Sequence, residues 1–487
     1  MATDFPTGAT RRDFLQAAGA GFGATALAGL LAGSARAADA ARDRPIIDPS
    51  RPLAPRPPHF PGTAKRVIFL FMWGGPSQVD TFDYKPTLQK LDGQPIPASF
   101  TRGMDHVGAA TGSSDKLMGN PFRWKQRGKS GLWVSDLLPE IAEHADDLCV
   151  IRSMHSESSN HAPASYQMNT GATLSGKPSM GSWLTYGLGS ENENLPGYVL
   201  LFKVAGLGGS ANWGNSFLPA AFQGTQFRHE GPPVLDLQPP PEYAAAQRST
   251  LDLIQGLNRK HRDARPGGPL ELDGRIASYE LAYRMQSEAL DVGDLSSETP
   301  ETLALYGLDG ADQATARFGR MCLLSRRLSE KGVRFVQLYS AMNKDGWDGH
   351  TDNESNHRTA AATTDRPIAG LLTDLKRRGL LDETLVIWAG EFGRTPVQQG
   401  NRGRNHNPLG FTIWMAGGGV KGGQALGATD EIGYRAEQNP YAVKDLHATI
   451  LHALGLHPEE LSFEHNGRPE RLTGVAGSSK VIPGVFG

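Results

Sequence analysis

Residues 384–408, TLVIWAGEFGRTPVQQGNRGRNHNP, constrain the fold of this chain more than any other stretch. The stretch begins with a run of β-branched and aromatic side chains, which predicts a buried strand. Glu391 follows that strand, and His406 lies in the next loop. Ligands collect beyond the carboxyl ends of strands in open α/β sheets, so this acid and this imidazole indicate a metal site. The alternative is an ordinary surface ion pair between Glu391 and Arg394 or Arg402.

Further apolar runs of strand length recur along the chain, at residues 66–73, 148–151, 334–340 and 411–416. Between them lie segments with helical spacing, which predict helices over residues 132–144 and 364–378 and a mostly helical, amphipathic segment at about 241–330. Strands that alternate with helices predict an α/β fold with a mostly parallel sheet and right-handed crossovers.

The composition is that of an ordinary globular protein and excludes some functional classes. With 487 residues, 39% hydrophobic and 21% charged, the chain can bury a large core. The formal net charge of −2 gives no field that attracts nucleic acid, so we expect no nucleic-acid partner. Because Cys149 and Cys322 are the only two cysteines, we expect free, buried thiols rather than a disulfide framework.

The first 37 residues are similar to a twin-arginine signal peptide. Arg11 and Arg12 precede Asp13-Phe14-Leu15 and a stretch of Ala, Gly and Leu, uncharged up to Arg36, that ends in Ala35-Arg36-Ala37. We therefore expect recognition by the twin-arginine export machinery, cleavage after Ala37, and a periplasmic or extracytoplasmic location. A membrane anchor is the alternative, but no later segment is long and apolar enough for a stable span after cleavage. A Pro-rich linker at 38–64 would then lead to one domain at 65–480.

Metal-capable side chains follow several of the predicted strands. Mixed carboxylate and imidazole ligands suit Zn, Mn or Fe better than Ca, which prefers shells of oxygen. Any one of these histidines is more often structural, and their repeated placement at strand ends is what favours a metal site. The candidates, in chain order, are Asp80, Asp83, His155, His161, Asp348, His350, His357, Glu391 and His406.

Several motifs, in one order, resemble an exported, sulfatase-like family known as domain of unknown function 1501, within the alkaline phosphatase and sulfatase superfamily. The matching pieces are GGPSQVDTFDYKP, GVRFVQLYS, GWDGH, GEFGRTP, GRNHNPLGFTIWMAGGGVKGG and DLHATILHALGL. The resemblance covers the chain from about residue 67 to 456. It implies a three-layer α/β/α sandwich, alkaline phosphatase-like, with a metal site at the carboxyl ends of its strands.

The resemblance also implies roles for individual residues. GWDGH is similar to the superfamily's Asp and His ligand pair, which gives Asp348 and His350, and the family motifs give Glu391 and His406 as further ligands. Gly74-Gly75-Pro76 stands where the superfamily has an Asp, so Asp80 or Asp83 would have to replace it. Phe392 stands where a histidine completes the usual second site. The remaining imidazole would then come from His155, His161 or His357.

The nucleophile is where the sequence departs most from that superfamily. HAPASYQMNTG resembles the sulfatase nucleophile motif, with His161 in the place of the Cys or Ser. Three interpretations follow: His161 is a covalent nucleophile, His161 is a metal ligand beside an activated water, or catalysis has been lost. Arg394 and Arg404, with Asn407 beside the late histidine, are the candidates to hold substrate oxygens.

These observations predict a metal-dependent hydrolase of phosphate or sulfate esters, with a small-molecule or glycan ester as substrate. The expected cofactor is one or two divalent ions, with Zn or Mn favoured. The alternative is a non-catalytic, metal-containing binding or structural protein of the cell envelope, because the motif lacks the Cys or Ser nucleophile.

Overall fold

A computed structural model describes residues 45–48, 51–101, 113–264, 270–341 and 345–487. The expected signal peptide, residues 1–37, lies outside these ranges. In the part of the expected linker that is described, Arg56 donates hydrogen bonds to the carbonyl oxygens of Thr185 and Tyr186, at 2.6 and 2.8 Å. The boundary at residue 65 stays a prediction.

The described strands are β1 Arg66–Phe71, β2 Ser113–Leu117, β3 Trp124–Arg127, β4 Leu132–Ser135, β5 Cys149–His155, β6 Tyr198–Leu201, β7 Thr225–Phe227, β8 Phe335–Tyr339, β9 Thr384–Ala389, β10 Gly393–Gln399, β11 Gly403–Asn407, β12 Phe411–Ala416, β13 Gln424–Leu426, β14 Ala428–Thr429, β15 Ala436–Gln438, β16 Tyr441–Ala442, β17 Phe463–His465 and β18 Arg468–Glu470. The described α-helices are α1 Gln78–Thr81, α2 Pro86–Lys90, α3 Ala98–Thr101, α4 His161–Thr170, α5 Met180–Leu188, α6 Gln247–Asp263, α7 Leu270–Gly293, α8 Pro300–Leu305, α9 Gln313–Glu330, α10 Asn353–Arg377 and α11 Val443–Ala453. Short 3-10 helices lie at Ile141–Asp147, Gly209–Asn212, Ala220–Phe222, Pro241–Ala246 and Leu381–Glu383.

The central sheet is mixed and mostly parallel, in the order β13-β5-β12-β9-β1-β8-β6-β7, with β16 also paired to β5. β1 lies between β8 and β9 and is parallel to both. β12 is antiparallel to both β9 and β5, so β5 runs in the same direction as β9. The predicted α/β class with a mostly parallel sheet is therefore confirmed.

Alternation along the central strands builds the two outer layers of the sandwich. In β1, Ile68 and Leu70 pack into a core with residues of α9 and α10, such as Phe318 and Ile368. Val67, Phe69 and Phe71 point to the opposite face, where they pack with residues of α5 and α11. Because both faces are covered, the central strands need apolar side chains at nearly every position, which explains their continuous apolar runs.

Two predicted helices differ from the observed elements. Residues 132–144 form strand β4, which pairs with β3, and then enter the 3-10 helix Ile141–Asp147, so the prediction of one α-helix there was wrong. Leu132, Leu138 and Ile141 are buried in the same core as Ile68 and Leu70. A strand followed by a 3-10 helix buries these side chains as an α-helix would, so their spacing did not distinguish the two. Helix α10 begins at Asn353 rather than near residue 364 and continues through Pro367.

Cys149 and Cys322 are free and buried, as expected. Among the described residues, no helix combines the length and the apolar character that crossing a membrane requires.

Candidate metal centre

The site lies at one edge of the central sheet, where β1, β5, β8 and β9 end. The chain after β5 begins α4 at His161, and the chain after β8 carries Asp348 and His350. The chain after β9 carries Glu391 and then folds into the β10–β11 hairpin, in which His406 lies opposite Arg394. Parallel strands thus bring residues far apart in the sequence to one place.

Four metal-capable side chains converge there, and we call them the histidine cluster: His161, Asp348, His350 and His406. One potential ligand atom from each lies within 4.8 Å of all the others. The Nε2 atoms of His350 and His406 are 2.9 Å apart. These two Nε2 atoms lie 3.0 and 3.2 Å from Asp348 Oδ1, and His161 Nε2 lies 3.2 Å from Asp348 Oδ2.

The outer ring nitrogen of each histidine contacts an oxygen that can only accept a hydrogen bond from it. His161 Nδ1 donates to Glu391 Oε1 at 2.6 Å, and His350 Nδ1 donates to Gln399 Oε1 at 2.6 Å. His406 Nδ1 donates to the carbonyl oxygen of Ser159 at 2.6 Å. In a neutral imidazole the other nitrogen then carries a lone pair, so all three Nε2 atoms present lone pairs to the cluster centre.

Three lone pairs and a carboxylate at these distances repel one another unless a cation lies between them. His161 Nε2 is buried, and no hydrogen bond satisfies it among the described residues. A tetrahedral ion with bonds of about 2.0–2.1 Å separates its ligands by roughly 3.3 Å, close to the distances found here. The donor set and its spacing therefore fit a single Zn-sized or Mn-sized ion. Oxygen partners on the outer nitrogens are also the usual second shell of metal-binding histidines.

Without a metal, a proton on His161 relieves the repulsion. Burial lowers the pKa of His161, but the carboxylates of Asp348 and Glu391 outweigh burial and raise it to about 9. Burial, assisted by Arg394 and His161, lowers the pKa of His406 to about 4, although Asp348 opposes this shift. Burial raises the pKa of Asp348, but the three histidines outweigh it and hold this pKa far below its usual range.

Glu391 lies behind His161 as its hydrogen-bond partner. Its side chain is fully buried, and Gly74 N–H donates to Oε1 at 3.0 Å. Gly74 adopts φ +106°, and a Cβ there would meet the backbone nitrogen of Trp347 at 2.5 Å, so only glycine fits. The Gly-Gly-Pro turn, which stands where the resemblance places an aspartate, therefore supplies an amide donor to Glu391.

Arg394 is a fully buried support for Asp348. It donates to Asp348 Oδ1 at 2.6 Å, to the carbonyl oxygen of Gly75 at 2.9 Å and to that of Arg404 at 3.2 Å. It also donates to the carbonyl oxygen of Gly74. These bonds leave Arg394 inside the protein rather than facing a substrate.

Two predicted ligands lie in a separate group, which we call the Asp80 cluster: Asp80, Arg404, Asn353 and His357. Asp80 Oδ2 accepts from Arg404 Nε at 2.7 Å and from Asn353 Nδ2 at 2.9 Å. Arg404 also donates to the carbonyl oxygens of Thr395 and Met118, at 3.2 and 3.1 Å. His357 Nε2 accepts from Ser77 N–H at 2.9 Å, and burial lowers the pKa of His357 to about 3.

The other candidates also have local partners. Asn407 Nδ2 donates to the carbonyl oxygens of Gly410 and Tyr434, at 3.1 and 2.7 Å. Asp83 is buried beside Thr429 Oγ1 and lies 3.1 Å from Lys85 Nζ. The structure thus brings His161, Asp348, His350 and His406 together, with Glu391 and Arg394 directly behind them, and places Asp80, His357, Arg404 and Asn407 in other contacts.

Sequence reasoning missed Gln399, the Ser159 carbonyl and the two rings that wall the cluster. Phe392 stacks on His406 with ring centroids 4.4 Å apart, and Trp73 stacks on His161 at 5.4 Å. Phe392 fills the space beside His161 and His406, where the resemblance places a second-site histidine. Gln399 could have been found from its position between two candidate ligands, Glu391 and His406. Ser159 contributes only its backbone carbonyl, which every residue has, so the sequence carries no signal for it.

A cavity of about 790 Å³ lies elsewhere, lined by residues of α6 and α7 such as Leu251 and Tyr283. Its lining contains no member of the histidine cluster. We therefore identify the candidate site from the converging ligand atoms and not from the size of a cavity.

Comparison with protein families now agrees with the motifs. The model of the family "Protein of unknown function (DUF1501)" matches residues 64–486. The chain belongs to the DUF1501 family. No match was found among curated proteins.

Solved structures that are similar to this DUF1501 chain include sulfatases and phosphatase relatives. The lipoteichoic acid synthase LtaP from Listeria monocytogenes is 9% identical, with 88% of this chain and 79% of that chain covered and a TM-score of 0.34. The PsFucS1 sulfatase from Pseudoalteromonas sp. is 12% identical, with 81% and 68% covered and a TM-score of 0.34. An alkaline phosphatase superfamily protein from Vibrio parahaemolyticus is 11% identical, with 87% and 75% covered and a TM-score of 0.35. At these scores the likenesses carry no argument about activity.

Proposed function

We propose that this DUF1501 protein is an exported, metal-dependent hydrolase of phosphate or sulfate esters. The observation that carries the proposal is the inward convergence of three imidazole Nε2 atoms on Asp348, with each outer nitrogen bonded to an oxygen. A divalent ion in such a site supplies Lewis acidity for an ester oxygen and makes water a nucleophile near neutral pH. One ion is proposed, because among the described residues just one group of three or more ligands converges.

The chain's own residues hold this site in its reactive form. Glu391, Gln399 and the Ser159 carbonyl keep the protons on the Nδ1 atoms, so that the Nε2 atoms stay free for a cation. Arg394 fixes Asp348. Trp73 and Phe392 cover the cluster on the side of His161, where the rings exclude water.

His161 acts as a ligand in this proposal, not as a covalent nucleophile. Its Nδ1 is bonded to Glu391, and its Nε2 lies among the other ligand atoms. If His161 is a ligand, the site has no covalent nucleophile at that position. This supports the second candidate function, a non-catalytic exported protein that binds an anion at the metal. The four members of the cluster are three histidines and one aspartate, and in this proposal the nucleophile for hydrolysis is water.

An ester-hydrolysis screen separates the two candidates. The purified protein is loaded with Zn or Mn and assayed against aryl and alkyl phosphates and sulfates and against phosphorylated and sulfated sugars. We expect turnover that a chelator removes, that added metal restores, and that His350→Ala abolishes. Metal-replete protein that binds phosphate or sulfate but turns over no ester would contradict hydrolysis and support the binding function.

Export is the second part of the proposal and rests on residues 1–37. We expect the protein in the periplasmic fraction, delivered by the twin-arginine machinery and without a nucleic-acid partner. Arg11→Lys combined with Arg12→Lys should retain it in the cytoplasm, while Arg42→Lys combined with Arg44→Lys, the same exchange outside residues 1–37, serves as the matched control. Unchanged fractionation of the double variant would contradict this route.

A further inference from the structure

The turn between β10 and β11 contains Arg402, whose surroundings differ from those of the other two arginines nearby. Of the three arginines in residues 384–408, Arg394 and Arg404 are fully buried and bonded to acids and carbonyl oxygens. Arg402, by contrast, is exposed. Among the described residues, its side chain forms no hydrogen bond and no ion pair.

The backbone at Arg402 is held in an unfavourable conformation. Its φ is +61°, a left-handed value that costs energy for a residue with a Cβ. Its carbonyl oxygen accepts from Asn353 N–H at 3.1 Å, which ties the turn to the start of α10. Glycine would adopt the same φ without strain, and this turn already contains Gly400 and Gly403.

The turn is packed directly against His350, the most exposed member of the histidine cluster. A Cβ on Gly403 would meet the His350 carbonyl oxygen at 1.8 Å, so the two backbones touch. Gln399, at the other end of the turn, bonds His350 Nδ1. The side chains of His350 and Asp348 are 33% and 21% exposed, against 9% for His161, so solvent reaches the cluster on the side of His350.

We propose that Arg402 is the residue that binds the anionic group of the substrate at the mouth of the metal site. The inference rests on the proposed function, which requires a phosphate or sulfate ester to approach the cluster. A guanidinium matches two oxygens of such a group in a forked, charge-assisted pair. Arg394 and Arg404 cannot serve because their donors are used inside the protein.

Inorganic phosphate and inorganic sulfate are the probes. Binding to the metal-loaded, full-length protein is measured by titration calorimetry, and metal content is measured on the same samples. We expect Arg402→Gln to weaken anion binding roughly tenfold or more with unchanged metal content. Arg402→Lys, which keeps the charge but not the fork, should lose less.

Arg377→Gln is the matched control. It removes one exposed positive charge at the far end of α10, about 36 Å along the helix from Asn353. We expect no change in anion binding from this variant. An equal loss in both variants would mean that general charge attracts the anion, and it would overturn the role of Arg402.

Arg402→Gly separates binding from structure. Because glycine relieves the strained φ, this variant should unfold at or above the wild-type temperature and still bind the anion more weakly. Wild-type affinity in either Arg402→Gln or Arg402→Gly would overturn the inference and leave the proposed function standing. Metal-loaded wild-type protein that binds neither anion would instead contradict the proposed function itself.

Discussion

The histidine cluster and the Asp80 cluster lie at the same edge of the sheet, are built from similar residues and differ in how their charges are balanced. In the Asp80 cluster, the carboxylate has Arg404 and Asn353 as donors, so its acceptors are satisfied within the protein. In the histidine cluster, three Nε2 atoms and a carboxylate face one another, and every outer nitrogen is already bonded. Both carboxylates have an arginine partner, Arg404 for Asp80 and Arg394 for Asp348. The difference is that three imidazole lone pairs converge on Asp348, and converging lone pairs need a cation.

Substitution of Asp80 should have the largest effect on stability and should separate the roles of the two clusters. Asp80→Ala leaves the Arg404 guanidinium fully buried without its acid, and we expect the free energy of unfolding to fall by about 3–5 kcal/mol. Metal bound per folded chain should not change. Urea unfolding and metal analysis check both points. The exposed control Asp382→Ala should stay within about 0.5 kcal/mol of wild type. Metal loss from folded Asp80→Ala would place Asp80 in the metal site after all.

Glu391 separates a ligand from a residue that orients a ligand. Glu391→Gln keeps an oxygen for His161 Nδ1 but removes the negative charge, so we expect metal affinity to fall about 10- to 100-fold, or about 1.4–2.7 kcal/mol. Competition with a metal-binding dye measures it. A loss as complete as that in His350→Ala would make Glu391 a ligand, and unchanged affinity would remove it from the site.

Buried neutral histidines outside the cluster predict how stability depends on pH. Burial lowers the pKa of His447 to about 4, and its Nε2 lies 2.8 Å from the Met168 carbonyl oxygen. The unfolded chain takes up this proton below about pH 6.5, so the contribution is present above that pH and is lost as pH falls towards 4. We expect the free energy of unfolding to fall by about 1.2 kcal/mol between pH 6 and pH 5 from this histidine.

His447→Gln should remove the contribution of His447 to the pH dependence of the free energy of unfolding. His357, whose pKa is also lowered by burial, should still destabilise the fold as the pH falls. Asp365, whose pKa burial raises to about 6, acts in the opposite direction. The measurement is therefore the difference between variant and wild type in urea unfolding at pH 6.5, 5.75 and 5. Parallel slopes for the two proteins would contradict a neutral, buried His447.

Part of this molecule could be predicted because it follows from local patterns. Continuous apolar runs gave the central strands β1, β8, β9 and β12 to within a few residues, since strands covered on both faces have no polar side. The helix expected over residues 132–144 failed because Leu132–Ser135 pairs with Trp124–Arg127, and pairing partners do not show in helical spacing. Helix α10 passes through Pro367, although proline usually marks a helix boundary.

The site could be predicted by residue type but not by partner. Asp348, His350 and His406 were placed near strand ends by the sequence, and the sheet topology brings them together. Asp80 and His357 belong to the same residue classes, but Arg404 and the Ser77 amide reach them first. Which carboxylate lies among three imidazole nitrogens depends on tertiary distances that a linear sequence does not contain.

Metal content decides whether the histidine cluster binds a divalent ion. Wild-type protein, His350→Ala, His406→Ala and the half-exposed control His457→Ala are purified in the same metal-supplemented buffer and analysed by mass spectrometry of the metal. We predict about one divalent ion per chain in wild type and in His457→Ala, and little or none in the two cluster variants while they remain folded. Equal metal content in all four proteins would contradict the histidine cluster as the metal site.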